Sequence, residues 1–302
     1  MNKMNIKSVL TILLLFLAKT LWAQTVYTGF IGKYPIELVT EIYSDGVARA
    51  IYTYTKFDTP ISIDGELEDG VLNLYERNAS GEVTATLVFD KFKQDSEILN
   101  GKWRNEETAK KLNIELRKMY EIASGDEDED EDEWTGRELI QRGSLQNYYF
   151  KLQLSKTDED YYPRIFGIKM IEKKTDKLVQ ELSLDAESRG IDSISIGDYN
   201  FDGVDDYSVF ETGYAGSNTS SLYFLYNPQT GHFFESGFSG TSLTFDPDSK
   251  TINERNECCA GTSVTTTTYT VENNKMVIID EHCYRWDDEK EDLTERKMEE
   301  CQ

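Results

Sequence analysis

The stretch Ile194-Ser195-Ile196-Gly197-Asp198-Tyr199-Asn200-Phe201-Asp202-Gly203-Val204-Asp205-Asp206-Tyr207-Ser208-Val209 joins two short alternating runs through a loop rich in side-chain oxygens. Alternation of apolar and polar residues on either side has the period-two pattern of half-buried strands. Within the loop, Asp198, Asn200, Asp202 and Asp206 occupy positions one, three, five and nine, with Gly203 at position six. Alternate residues of a tight loop can converge on one point while those between them face away. A hard cation such as Ca2+ gathers about six to eight oxygens at roughly 2.3–2.6 Å. The spacing predicts a calcium site whose ligands are Asp198, Asn200, Asp202 and Asp206, with the Val204 carbonyl among them. Gly203 permits the sharp turn. Magnesium suits the loop less, because it keeps its waters and meets few carboxylates.

An EF-hand would continue to a bidentate Glu at position twelve and would lie between helices. Here position twelve is Val209 and the flanks read as strands. Outward from the loop, strands are expected at Tyr148 to Leu154, Arg164 to Glu172, Leu178 to Leu184, Ile191 to Gly197 and Tyr207 to Glu211. More are expected at Ser221 to Tyr226, Thr265 to Val271, Met276 to Asp280 and Tyr284 to Trp286. No segment carries a sustained helical repeat of apolar residues, and Thr265 to Thr268 is β-branched throughout. The C-terminal part, residues 143–302, is read as an antiparallel β domain with an interstrand calcium loop.

The N-terminal part, residues 24–120, is also all-β. Alternating runs at Ile36 to Val39, Ala50 to Tyr54, Ile61 to Ile63, Val71 to Leu74, Thr84 to Phe89 and Leu112 to Leu116 are separated by Asp45-Gly46, Asp69-Gly70 and Ser80-Gly81 turns. This is a meander of about eight strands, enough to curl or close into a small barrel and remove its exposed edges. Tyr52, Tyr54, Tyr75, Phe89 and Trp103 are read as core residues, with a ligand pocket as the competing assignment. Between the two parts, the expected linker 121–142 contains an unbroken acidic run from Asp126 to Glu133, which repels itself and cannot bury apolar surface.

Residues 1–23 read as a secretory signal peptide: lysines, an apolar run from Val9 to Ala18, then Leu21-Trp22-Ala23 before a cut. About twenty apolar residues are needed to cross a bilayer, so no transmembrane anchor is expected. No Cys stands after the run to carry a lipid. The expected location is periplasmic or secreted. The formal charge is −24, and loss of Lys3, Lys7 and Lys19 with the leader makes it −27. Nucleic acid is thereby excluded as a partner, since phosphate binding needs concentrated Lys and Arg.

Cys258, Cys259, Cys283 and Cys301 are an even set in an exported chain, which points to disulfides. A bridge between the neighbours Cys258 and Cys259 is strained, so each is expected to reach Cys283 or Cys301. The only histidines, His232 and His282, lack a neighbouring nucleophile pattern, and no Gly-x-Ser-x-Gly, phosphate-loop or His-Glu-x-x-His motif occurs. No catalytic residue is assigned.

The Asp198–Asp206 loop resembles the calcium loops of integrin-type FG-GAP repeats. Together with Lys177 to Leu182, Tyr223 to Asn227 and Phe245 to Ile252, it is similar to a family of periplasmic calcium-binding β proteins. Members of that family include a lysozyme inhibitor that acts as an immunity protein against a secreted peptidoglycan-cleaving effector. The resemblance covers the C-terminal half and carries over the metal ligands residue by residue. Gly29 to Ile36, Tyr52 to Tyr54 and Gly101 to Trp103 resemble a β-rich domain of bacterial envelope proteins. The expectation is a calcium-binding, non-catalytic envelope protein that binds a cationic, lysozyme-like hydrolase. A glycan-binding or adhesion module is the alternative, and a glycosidase hidden among the carboxylates the second alternative.

Overall fold

The computed structural model describes residues 22–55, 59–124 and 133–301. The chain divides into two compact units, the first ending at residue 131 and the second made up mostly of residues 132–302. Both are built from antiparallel strands.

The first unit is a closed eight-stranded barrel in which each strand pairs with its sequence neighbour and the last returns to the first. Its strands are β1 (Trp22–Ile31), β2 (Tyr34–Ile42), β3 (Val47–Tyr54), β4 (Ile61–Glu68), β5 (Val71–Arg77), β6 (Val83–Asp90), β7 (Ile98–Asn105) and β8 (Lys111–Ser124). Alternation decides which side chains fill the interior: Leu38, Ala48, Ala50, Leu72, Leu74, Leu87, Phe89, Ile114 and Leu116 are enclosed together. The aromatic assignment divides. Tyr52 and Phe89 are buried core, and Tyr54 and Trp103 pack against it. Tyr75 faces outward and donates its hydroxyl to Glu66.

Closure demands close backbone approach. A Cβ on Gly65 would lie 1.8 Å from the Asn73 carbonyl oxygen, and one on Gly29 would lie 2.1 Å from that of Glu115. Glycine is therefore required at these points of β4 and β1 to let the neighbouring strands coil inward.

The second unit holds three sheets. One is β12-β11-β10-β9, from β9 (Trp134–Ser144), β10 (Tyr148–Lys156), β11 (Arg164–Glu172) and β12 (Lys177–Glu187). The next is β13-β14-β15-β16, from β13 (Ile194–Gly197), β14 (Asp206–Gly213), β15 (Thr219–Asn227) and β16 (His232–Glu235). The third runs β17 (Thr244–Asp246), β18 (Thr251–Cys258), β19 (Ser263–Glu272), β20 (Lys275–Asp287) and β21 (Asp292–Arg296) in sequential order. Phe150 of β10 meets Tyr207 of β14 at 4.7 Å between ring centroids, and Tyr207 stacks on Phe224 at 4.9 Å. The Gln180 amide exchanges two hydrogen bonds with the Phe233 backbone, at 2.7 and 2.9 Å, which ties β12 to β16.

Two expectations about the strands and the linker change. Residues 121–124 belong to β8 and 134–142 to β9, so the stretch between the strands is shorter than the linker expected over 121–142. Most of the acidic run, like the expected leader through residue 21, lies outside the described residues. Met276 to Asp280 and Tyr284 to Trp286 are one strand, β20, carried through a bulge opposite Thr268/Tyr269.

The cysteines pair differently from the expectation. Cys283 bonds to Cys301 with a Cα separation of 5.9 Å, and Cys258 and Cys259 are free and exposed. The β20–β21 hairpin returns the chain alongside β20, and Arg285 donates to the Glu300 carbonyl at 2.8 Å, which brings Cys301 over Cys283. Cys258 instead sits at the end of β18, opposite Ser263.

Two outcomes test this fold. Gly65→Ala should destabilise the barrel by about 1–3 kcal/mol through forced separation of β4 and β5, read by chemical denaturation. Non-reducing peptide mapping should recover Cys283 linked to Cys301 with Cys258 and Cys259 alkylated. A peptide joining Cys258 or Cys259 to either of the others would refute it.

Candidate metal loop and its surroundings

The eight residues between β13 and β14, together with Asp206 at the start of β14, make up the predicted loop, closed by the pairing of Gly197 with Asp206. Alternation persists through its first half. Tyr199 and Phe201 turn inward onto a cluster with Tyr223, Leu225, Phe238 and Ile252. Tyr199 meets Phe245 at 4.7 Å and Tyr223 at 5.0 Å, edge to face, and its hydroxyl lies 2.9 Å from Ser208 Oγ. The polar residues between them are left on the outside, and aromatic burial thus holds the loop in register.

Asp198 accepts from the Asp202 amide at 3.0 Å and the Gly203 amide at 2.8 Å. Asn200 Oδ1 accepts from the Asp202 amide at 3.2 Å, and Asp202 Oδ1 accepts from the Val204 amide at 2.9 Å. The Asn200 amide donates to Asp202 Oδ2 and to Asn274 Oδ1, both at 3.0 Å. Phe201 and Gly203 both have positive φ, 62° and 87°, which winds the backbone inward. Val204 is 40% exposed.

Asp206 differs from the other three. It is fully buried, with one oxygen accepting the Tyr199 amide at 3.0 Å and the other the Tyr226 amide at 2.8 Å. Burial pushes its carboxyl up to about 6; the two amides pull the other way, and the charges of Asp202 and Asp198 add to the rise. Among the described residues no Lys or Arg forms an ion pair with Asp198, Asp202 or Asp206. Asp198, Asn200 and Asp202 thus keep part of their surface in solvent, whereas Asp206 is buried where the loop enters β14. Their oxygens accept from amides of the loop and, for one Asp206 oxygen, from Tyr226 of β15, and among the described residues no group of three or more His, Cys, Asp or Glu side chains is arranged to hold a metal ion.

The histidines are not part of this site. His232 lies in a turn with Nδ1 2.8 Å from the Thr230 carbonyl. His282 stands on β20 between Glu295 Oε1 at 2.7 Å and Asp280 Oδ2 at 2.9 Å. Those two carboxylates, Glu295 first, raise its pKa above the ordinary value of 6.5.

No protein-family model matches the chain, and no curated protein matches it. Among solved structures it is similar to one described as a Xanthomonas Type IV secretion system related protein, with 12% identity over 91% of this chain and 99% of that one. The TM-score is 0.26, too low to bear on fold or function. No helix among the described residues is long and apolar enough to cross a membrane.

The His282 arrangement has a defined pH response. A raised folded pKa means that its ion pairs act below the unfolded value of about 6.5 and are lost as pH rises through the folded one. NMR titration should place the His282 midpoint above 6.5, and Glu295→Gln should lower it. An unchanged midpoint in that variant would contradict the assigned cause.

Proposed function

We propose that this chain is an exported, calcium-stabilised and non-catalytic binding protein whose partner is a cationic, lysozyme-like hydrolase. The observation that carries the calcium reading is the buried Asp206 carboxylate, backed by Asp198 and Asp202 with no cationic side chain among the described residues to neutralise them. The donor set of Asp198, Asn200, Asp202, Asp206 and the Val204 carbonyl is all oxygen, as a hard cation requires. A divalent ion held there would offset the repulsion among the three carboxylates and the cost of burying Asp206. The partner reading rests on the resemblance of the C-terminal half and on the excess of 56 acids over 32 bases. Complementary charge accelerates encounter with a basic enzyme and makes it salt-sensitive, since screening acts over about 8–10 Å at physiological ionic strength.

A ligand bound only by the folded state stabilises it by about 2.7 kcal/mol at a hundredfold excess over Kd. Calcium should therefore raise the melting temperature above that in chelator. The response should vanish in Asp198→Ala and Asp202→Ala and persist in Asp205→Ala, whose carboxylate lies outside the donor set. Identical melts with calcium and with chelator would sink the calcium reading. For the partner, muramidases should lose activity in the presence of the protein, with an association rate that falls as salt rises. A panel left fully active, together with retention of the protein on polysaccharide, would favour a glycan-binding module instead.

A further inference from the structure

The barrel interior changes character at one end. Along β5, Leu72 and Leu74 are buried, and the next inward position is Glu76, half-buried rather than sealed. Glu76 Oε1 accepts from the Tyr52 hydroxyl at 2.7 Å and from the Trp103 indole at 2.7 Å. Indole nitrogen is a donor only, so this oxygen is held as an acceptor. The other oxygen, Oε2, has no partner among the described residues and is not sealed from solvent. No Lys, Arg or His pairs with this carboxylate among the described residues.

Two aromatic side chains, Tyr52 and Trp103, touch it, and further rings adjoin Tyr52. Tyr54 meets Tyr52 edge to face at 5.5 Å and Tyr34 at 6.1 Å, and Trp103 completes the wall through its bond to Glu76. Tyr54 and Trp103 are only partly buried, and Tyr34 is 42% exposed, so these side chains are reached by solvent at this end of the barrel. The Lys33 ammonium already lies 5.6 Å from the centroid of the Tyr34 ring, at the rim. A partly desolvated carboxylate held by neutral donors, with aromatic rings beside it, attracts an organic cation by charge and by cation–π contact together.

We propose that this end of the barrel, walled by Tyr34, Tyr52, Tyr54 and Trp103 with Glu76 at its base, binds an ammonium group. Mouths of small barrels are common ligand sites, and the chemistry serves a lysine side chain of a protein or a free quaternary amine equally. This site lies in the N-terminal unit and does not rest on the calcium reading.

The test is a titration of the full chain tracked by the Trp103 indole N–H signal in NMR. The probes are choline, its neutral isostere 3,3-dimethylbutanol, and Nα-acetyl-lysine amide. Choline or the lysine derivative should shift that signal saturably, and the tighter of the two assigns the source of the ammonium group. Glu76→Gln should weaken the binding about tenfold or more, and the neutral isostere should leave the signal in place. Should Glu76→Gln not fold, Tyr34→Ala at the exposed rim leaves the carboxylate network intact and should still weaken the cation severalfold. No saturable shift with either cation, equal shifts from choline and the isostere, or unchanged affinity in these variants would overturn the proposal.

Discussion

The buried carboxylate of Asp206 is the constraint around which the C-terminal unit is arranged. Its two oxygens hold the backbone amide of Tyr199, at the start of the loop, and that of Tyr226, at the end of β15. One side chain thus fixes where the loop leaves β13 and where β15 lies beside β14. An unsatisfied buried amide costs about 1–3 kcal/mol, and an alanine here would strand both. An asparagine would keep one acceptor and set a second donor against the other amide. The carboxylate form suits the geometry, and low dielectric makes that form expensive, which is why its pKa is displaced upward.

Aromatic packing turns this local anchor into a connection between sheets. Tyr199 and Phe201 leave the loop on the face opposite its polar residues and enter the cluster containing Phe245 of β17 and Ile252 of β18. From the other direction, the Asn274 side chain in the β19–β20 turn accepts from Asn200, and Lys250 reaches the Phe201 carbonyl at 3.4 Å. The loop is therefore a joint between the second and third sheets of this unit. A change in its stability is felt across both.

Much of this is legible in the residues because two periodicities coincide. Strand alternation marks the barrel, and its continuation into Asp198-Tyr199-Asn200-Phe201-Asp202 marks which loop residues face out. The C-terminal elements that pattern does not reveal, β9, β16, β17, β18 and β21, have weak alternation or few apolar residues: Thr251 to Cys258 buries only Ile252 fully, and β21 has Leu293 as its lone large apolar residue. Their pairing comes from hairpin geometry with stronger neighbours, which is a tertiary effect. The expected disulfides fail for the same reason. Excluding the neighbouring pair by strain is sound, but the inference presumes that every cysteine pairs, whereas the β20–β21 return brings only Cys283 and Cys301 together.

Glu76 shows where pattern alone falls short even inside a well-marked element. Val71-Leu72-Asn73-Leu74 announces a strand, and the same parity carries Glu76 into the barrel. In isolation a charged residue at a strand end reads as solvated, because such ends usually fray into turns. Only closure makes the position special. Once β5 has neighbours on both sides, its last inward residue must face Tyr52 and Trp103 from other strands, and a carboxylate survives there because both are donors. Replacing it by an apolar residue would leave the indole and hydroxyl without their acceptor. The three groups therefore specify one another, and the charge at this end is a consequence of how the barrel closes.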